Sequence, residues 1–312
     1  MKRKIICLLG ITLAFIMVLC ACSDSGKQES AGKAEKDNNL PVQCSLKLSP
    51  DEFPEIDGAT ALAPYYEAMA AAMLDIPVEE ARKYVRCSTT DGAFSNLISG
   101  DADMIFCSLP SEDQVKEAAE QDVEFYCTPF LNGGFVFFVN KDNPVDSLTV
   151  DQLHDIYAGK ITNWKDVGGD DEEIIAYQRS EGSGSQTGMY RFIIPQNEIM
   201  KAPQERMIED MGGIVDAVAS YKNSEGAIGY SYYYYVANMH YNDRIKLLAI
   251  DGIIPGDDTI ADGTYPLINQ SQVIIRKSDA DNEILRKIID WITSEEGQKL
   301  GEANGYVRNA DL

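Results

Sequence analysis

Gln178-Arg179-Ser180-Glu181-Gly182-Ser183-Gly184-Ser185 places one cation ahead of two glycines that alternate with hydroxyl residues. Met189, Phe192 and Ile193 follow at helical spacing, so the segment reads as a strand running into a loop that caps a helix. A helix N-terminus leaves backbone N–H groups without partners and carries about half a positive charge. Glycine lets the backbone come close to a ligand, and hydroxyl side chains add donors without adding charge. The loop therefore has the chemistry to hold an anion.

The same kind of junction occurs twice more. Asp57-Gly58-Ala59-Thr60 precedes a helix with Leu62, Tyr66, Met69 and Met73 on one face, and Ser88-Thr89-Thr90-Asp91-Gly92 precedes one with Phe94, Leu97 and Ile98. Ser and Thr are ordinary N-caps, so any one junction reads most simply as a cap. Three of them, with Arg179 ahead of one, point to a shared site, because ligands of open α/β sheets gather at the carboxyl ends of strands. Candidate strands at 55–56, 84–87, 103–107, 123–127 and 135–139 alternate with these helices. The fold class expected is α/β, with two lobes built from mixed sheets flanked by helices.

Outward from this body, Lys2, Arg3 and Lys4 precede an apolar run over 5–19 and then Ala21-Cys22. That run is shorter than the roughly 20 residues a membrane-spanning helix needs. Residues 1–21 therefore read as a lipoprotein signal peptide and Cys22 as the lipidated first residue. The polar stretch 22–41 reads as a flexible tether. The expected location is the extracytoplasmic face of the cell membrane.

The net charge is -23, and removing 1–21 takes away three basic residues and no acidic ones. Nucleic acid and anionic lipid headgroups are thereby excluded as partners, which leaves a local, shaped site as the way to hold an anion. Cys44, Cys87, Cys107 and Cys127 form no C-x-x-C pair, and their pairing is open. His154 and His240 have no neighbouring ligands at metal spacing, so neither metal nor cofactor is expected. The glycine loop lacks the lysine of a P-loop, and no G-x-S-x-G elbow or base near a serine motif is present. A binding protein is expected, not an enzyme. The tyrosine run 230–235 after Gly226-Ala227-Ile228-Gly229 reads as a packed strand and its turn.

The run from Arg179 to Ser185 resembles the R-x-x-G-S-G-T signature of phosphate-binding receptors of the PstS type. Residues 140–144, Gly159-Lys160-Ile161-Thr162-Asn163-Trp164, Gly226-Ala227-Ile228-Gly229-Tyr230 and Glu296-Gly297-Gln298 are similar to other landmarks of that family, in the same order. The resemblance implies a class II solute-binding fold. One lobe would be 42–140 plus 268–312 and the other 141–267, with the ligand cleft between them. It further implies a monomeric receptor that hands inorganic phosphate to an ABC permease. Thr60 and the N–H of Ala61, Thr90, Arg179, Ser183, Gly184 and Ser185 would be the ligand contacts. Ser108 stands where the family commonly has an aspartate that accepts the proton of phosphate. That departure leaves other oxyanions such as sulfate or molybdate open, with Asp91 as a substitute carboxylate. A signalling or adhesion role on the same fold is the alternative reading.

Overall fold

The computed structural model describes residues 44–220, 222 and 225–312. The signal segment 1–21, Cys22 and the tether 22–41 lie outside the described residues. The strands are β1 (Ile56–Gly58), β2 (Met104–Cys107), β3 (Phe125–Asn140), β4 (Ser147–Leu148), β5 (Ile175–Ala176), β6 (Gln178–Arg179), β7 (Met207–Ile208), β8 (Ala227–Tyr232), β9 (Ile245–Leu247), β10 (Ala249–Ile250), β11 (Ile268–Arg276) and β12 (Val307–Arg308). Between them lie α1 (Ala63–Leu74), α2 (Val78–Ala81), α3 (Thr89–Ser99), α4 (Glu112–Glu120), α5 (Val150–Tyr157), α6 (Gly184–Phe192), α7 (Met211–Ala219), α8 (Asp257–Ala261), α9 (Glu283–Ile292) and α10 (Glu295–Ala303).

A mixed sheet in the order β1-β2-β11-β3-β8-β5 organises these elements. Its middle is the 16-residue β3, whose first half pairs antiparallel with β11 and whose second half pairs antiparallel with β8 and β9. The sequence reads here as separate strands at 123–127 and 135–139, where the structure has one continuous strand. The register against β11 shifts at Ser271/Gln272, opposite Leu131 and Pro129, so Phe130 is the extra residue of a bulge beside Pro129, which has no N–H to give. The expected strand at 84–87 is a 3-10 turn, Arg82–Tyr84, followed by one parallel bridge from Val85 to Ile56. Arg86 continues the contact, donating its N–H to Ile56 O at 2.8 Å, before the chain turns into α3.

Two large apolar cores lie along this sheet. One gathers Tyr65, Tyr66, Met69, Phe106, Phe130 and Leu131 with Val273, Ile288 and Ile292. The other gathers residues between Phe135 and Leu267, among them Phe137, Trp164, Met189, Ile214 and Tyr230, together with Val307. On β3 the passage from one core to the other falls at Gly133-Gly134, where a Cβ at Gly134 would stand 2.9 Å from Ile260 Cδ1. Residues 135–139 thus pack with the 141–267 segment, a few positions before the crossing expected near 140. The helical stripes read from sequence are core contacts: Phe94 and Leu97 are fully buried, as are Met69, Met73 and Met189.

Candidate functional site

The three junctions converge. Thr60, Ala61, Thr90, Ser108, Arg179, Ser183 and Gly184 all line one cavity of about 430 Å³. Ser185 does not: it is fully buried behind Gly184, and its hydroxyl has no partner. It stands in the first turn of α6, where the backbone N–H groups have no internal acceptor.

Glycine is what allows the α3 and α6 ends to meet. A Cβ at Gly184 would lie 2.7 Å from Thr90 Oγ1, and one at Gly182 would lie 2.5 Å from Asp91 Oδ1. Gly182 also has a φ of +75°, a left-handed conformation that costs glycine little. Asp91 itself is exposed at the cavity wall. Ser183 serves as the N-cap of α6, its Oγ accepting from Gln186 N at 3.2 Å, so the ordinary capping role is filled as well. Thr89, the first residue of α3, holds a φ of +66°. For a β-branched residue this is strained by about 1–3 kcal/mol, and such strain gathers at ligand clamps.

Arg179 supplies the charge. It is 5% exposed, and burial pulls its pKa below the usual arginine range, against smaller opposing pulls from Tyr230 and Asp210. Its Nε donates to Ile208 O at 2.9 Å and its Nη2 to Glu209 O at 2.7 Å, so backbone carbonyls of β7 and the loop after it hold the fork in place. Among the described residues Nη1 has no acceptor, and it is buried. Asp210, on the same wall, accepts from Gly213 N as the cap of α7. Among the described residues no carboxylate forms an ion pair with Arg179. Buried charges are normally paired, whereas this cavity wall carries a guanidinium that Asp210 influences only through space.

Several further side chains shape the site. Tyr232 donates its O–H to Gly184 O at 2.6 Å and receives a hydrogen bond from Ser108 Oγ at 2.8 Å. Tyr306 donates to Ala61 O at 2.8 Å and stacks on Tyr234, with ring centroids 3.7 Å apart. Asp57, fully buried, accepts from Gly58 N, Ser88 N and Asn96 Nδ2, which ties the first junction to the second. Tyr230 and Tyr232 do lie on a strand, as expected, while 232–235 also line the cavity. The i, i+2 spacing of Tyr230 and Tyr232 was the available clue, because it places both on one face of β8. Cys44, Cys87, Cys107 and Cys127 are free thiols.

Comparison with known proteins follows the same lines. The model of the PBP superfamily domain matches residues 54–296. The phosphate-binding protein PstS of Bacillus subtilis is 25% identical over 313 residues, covering 100% of this chain and 96% of the relative. The PstS of Staphylococcus epidermidis is 30% identical over 225 residues, 70% of this chain and 67% of the relative. An ABC-type phosphate transport receptor from Vibrio cholerae has a similar fold, with a TM-score of 0.62 at 24% identity over 82% of this chain and 100% of that one. With the matched domain, the aligned relatives and the shared fold, the chain belongs to the PBP superfamily and, within it, to the PstS phosphate-binding proteins.

Proposed function

We propose that this chain is the extracytoplasmic receptor of an ABC importer, capturing phosphate in the cavity at the α3 and α6 N-termini and delivering it to the permease. The observation that carries the reading is the buried guanidinium of Arg179, which among the described residues has no carboxylate in ion-pair contact, on the wall where those two N-termini meet. Thr60, the N–H of Ala61, Thr90, Ser183 and the N–H groups of Gly184 and Ser185 complete the donor set. A micromolar dissociation constant needs about 8 kcal/mol, and hydrogen bonds to a charged group contribute roughly 1.5–3 kcal/mol each. Five or six donors suffice, with a margin for desolvation and ordering.

In this reading the protein is a monomer and performs no chemistry on its ligand. Residues 42–140 plus 268–312 form one lobe and 141–267 the other, a division supported by the two apolar cores, with 135–139 packing against the second. Lipid on Cys22 holds the mature protein at the membrane. That anchor is supported by the basic, apolar and Ala21-Cys22 pattern of the first 22 residues. Among the described residues no helix is long and apolar enough to cross a membrane.

Calorimetric titration of ligand-stripped protein with phosphate, sulfate, arsenate and molybdate tests the assignment. Phosphate and its near-isostere arsenate should bind with micromolar or tighter constants. Tight molybdate or sulfate binding with no phosphate binding would contradict it.

A further inference from the structure

Ser108 lines the cavity, and a serine hydroxyl is able either to donate to an anion or to accept from one. Its neighbours decide which. Gly184 O is a carbonyl and accepts only, so the hydrogen of Tyr232 Oη is committed to it, at 2.6 Å. The 2.8 Å contact between Tyr232 Oη and Ser108 Oγ then requires Ser108 to be the donor. With its single hydrogen turned toward Tyr232, Ser108 Oγ is left with lone pairs for the cavity it lines.

Packing fixes this polarity. The Tyr232 ring sits edge-on to Phe135 at 5.7 Å, and Gly188 of α6 leaves room for both: a Cβ there would stand 2.7 Å from Phe135 Cε2 and 3.3 Å from Tyr232 Oη. Burial also pushes the Tyr232 phenol up to about 12, so it keeps its proton across the physiological range.

Resting on the proposed phosphate-receptor function, we infer that Ser108, polarised by Tyr232, is a neutral hydrogen-bond acceptor in the site that selects an oxyanion still carrying a proton. Hydrogen phosphate donates to Ser108 Oγ and gains a bond. Sulfate has no proton at neutral pH and meets lone pairs, so it is disfavoured without a carboxylate's negative charge. Selectivity here is a matter of hydroxyl orientation, set from Gly184 O through Tyr232.

The test compares phosphate and sulfate affinities of wild type, Ser108→Ala and Tyr232→Phe by calorimetry at neutral pH, with circular dichroism as the check on folding. Ser108→Ala removes the acceptor and should weaken phosphate about tenfold while leaving sulfate unchanged or tighter. Tyr232→Phe frees the Ser108 hydrogen for the cavity and should strengthen sulfate binding about tenfold. If Ser108→Ala weakens both anions by the same factor, Ser108 is a donor and the inference fails. If it changes neither, Ser108 is not in the site, and the inference fails equally, while phosphate binding by wild type leaves the receptor reading standing. A wild type that binds no phosphate overturns the receptor reading and this inference with it.

Discussion

Thr90 Oγ1 and Gly184 are so close that a single methyl group cannot be placed between them: a Cβ on Gly184 would lie 2.7 Å from that oxygen. This contact joins the first turn of α3 to the first turn of α6, and it brings two helix N-termini to one point. Gly184→Ala should therefore push the two ends apart and weaken phosphate binding by about tenfold, since each charge-assisted hydrogen bond contributes roughly 1.5–3 kcal/mol. Isothermal titration measures the loss. Unchanged affinity would mean that the two ends do not act on the same ligand.

Charge and shape at Arg179 are separable. Arg179→Lys keeps a cation but loses the fork that holds Ile208 O and Glu209 O while leaving Nη1 for the cavity. We expect at least a tenfold loss of phosphate affinity in Arg179→Lys, and a larger loss in Arg179→Ala, with circular dichroism unchanged. If lysine restores full affinity, the guanidinium geometry has no part in binding and only its charge matters.

The first loop is held from a distance. Tyr306→Phe leaves Ala61 O buried without its donor, which costs about 1–3 kcal/mol. For a protein of this size we expect a fall in melting temperature of about 2–6 °C, followed by differential scanning calorimetry. Phosphate affinity should fall a few-fold as the Thr60-Ala61 loop loosens. A variant with wild-type melting and binding would show that the hydrogen bond does not position the loop.

How much of this was legible in advance follows from how local each feature is. The junctions at Gly58, Thr90 and Gly182, and Arg179 ahead of the last, are short motifs whose physics is contained in a few consecutive residues. They read as a candidate anion site, and the structure brings them to one cavity. The partners that orient them are not local: Tyr306 lies 245 positions from Ala61, and Tyr232 lies 124 positions from Ser108. Nothing in either segment alone fixes which tyrosine meets which loop. Ser108 shows the difference most clearly, because the sequence gives a hydroxyl able to donate to phosphate and sulfate alike, whereas its hydrogen is already taken by Tyr232. The long strand β3 was misdivided for the opposite reason. Pro129 and Gly133-Gly134 are breakers by composition, yet a bulge and a passage between two cores accommodate them.

Membrane attachment is tested on the first 22 residues. Cys22→Ala removes the thiol that lipid would modify, and the protein should move from the membrane pellet to the soluble or secreted fraction on fractionation of expressing cells. Retention of the variant in the pellet would assign the anchor to another segment.

The central claim is that phosphate sits where Arg179 Nη1 and the α3 and α6 N-termini meet, and a crystal structure of the phosphate complex tests it most directly. The account predicts tetrahedral density in the cavity with oxygens within hydrogen-bond distance of Arg179 Nη1, Thr90 Oγ1, Ser183 and the N–H groups of Gly184 and Ser185, and one oxygen facing Ser108 Oγ. Density outside this cavity, or phosphate bound within it with Arg179 Nη1 still unpaired, would contradict the account.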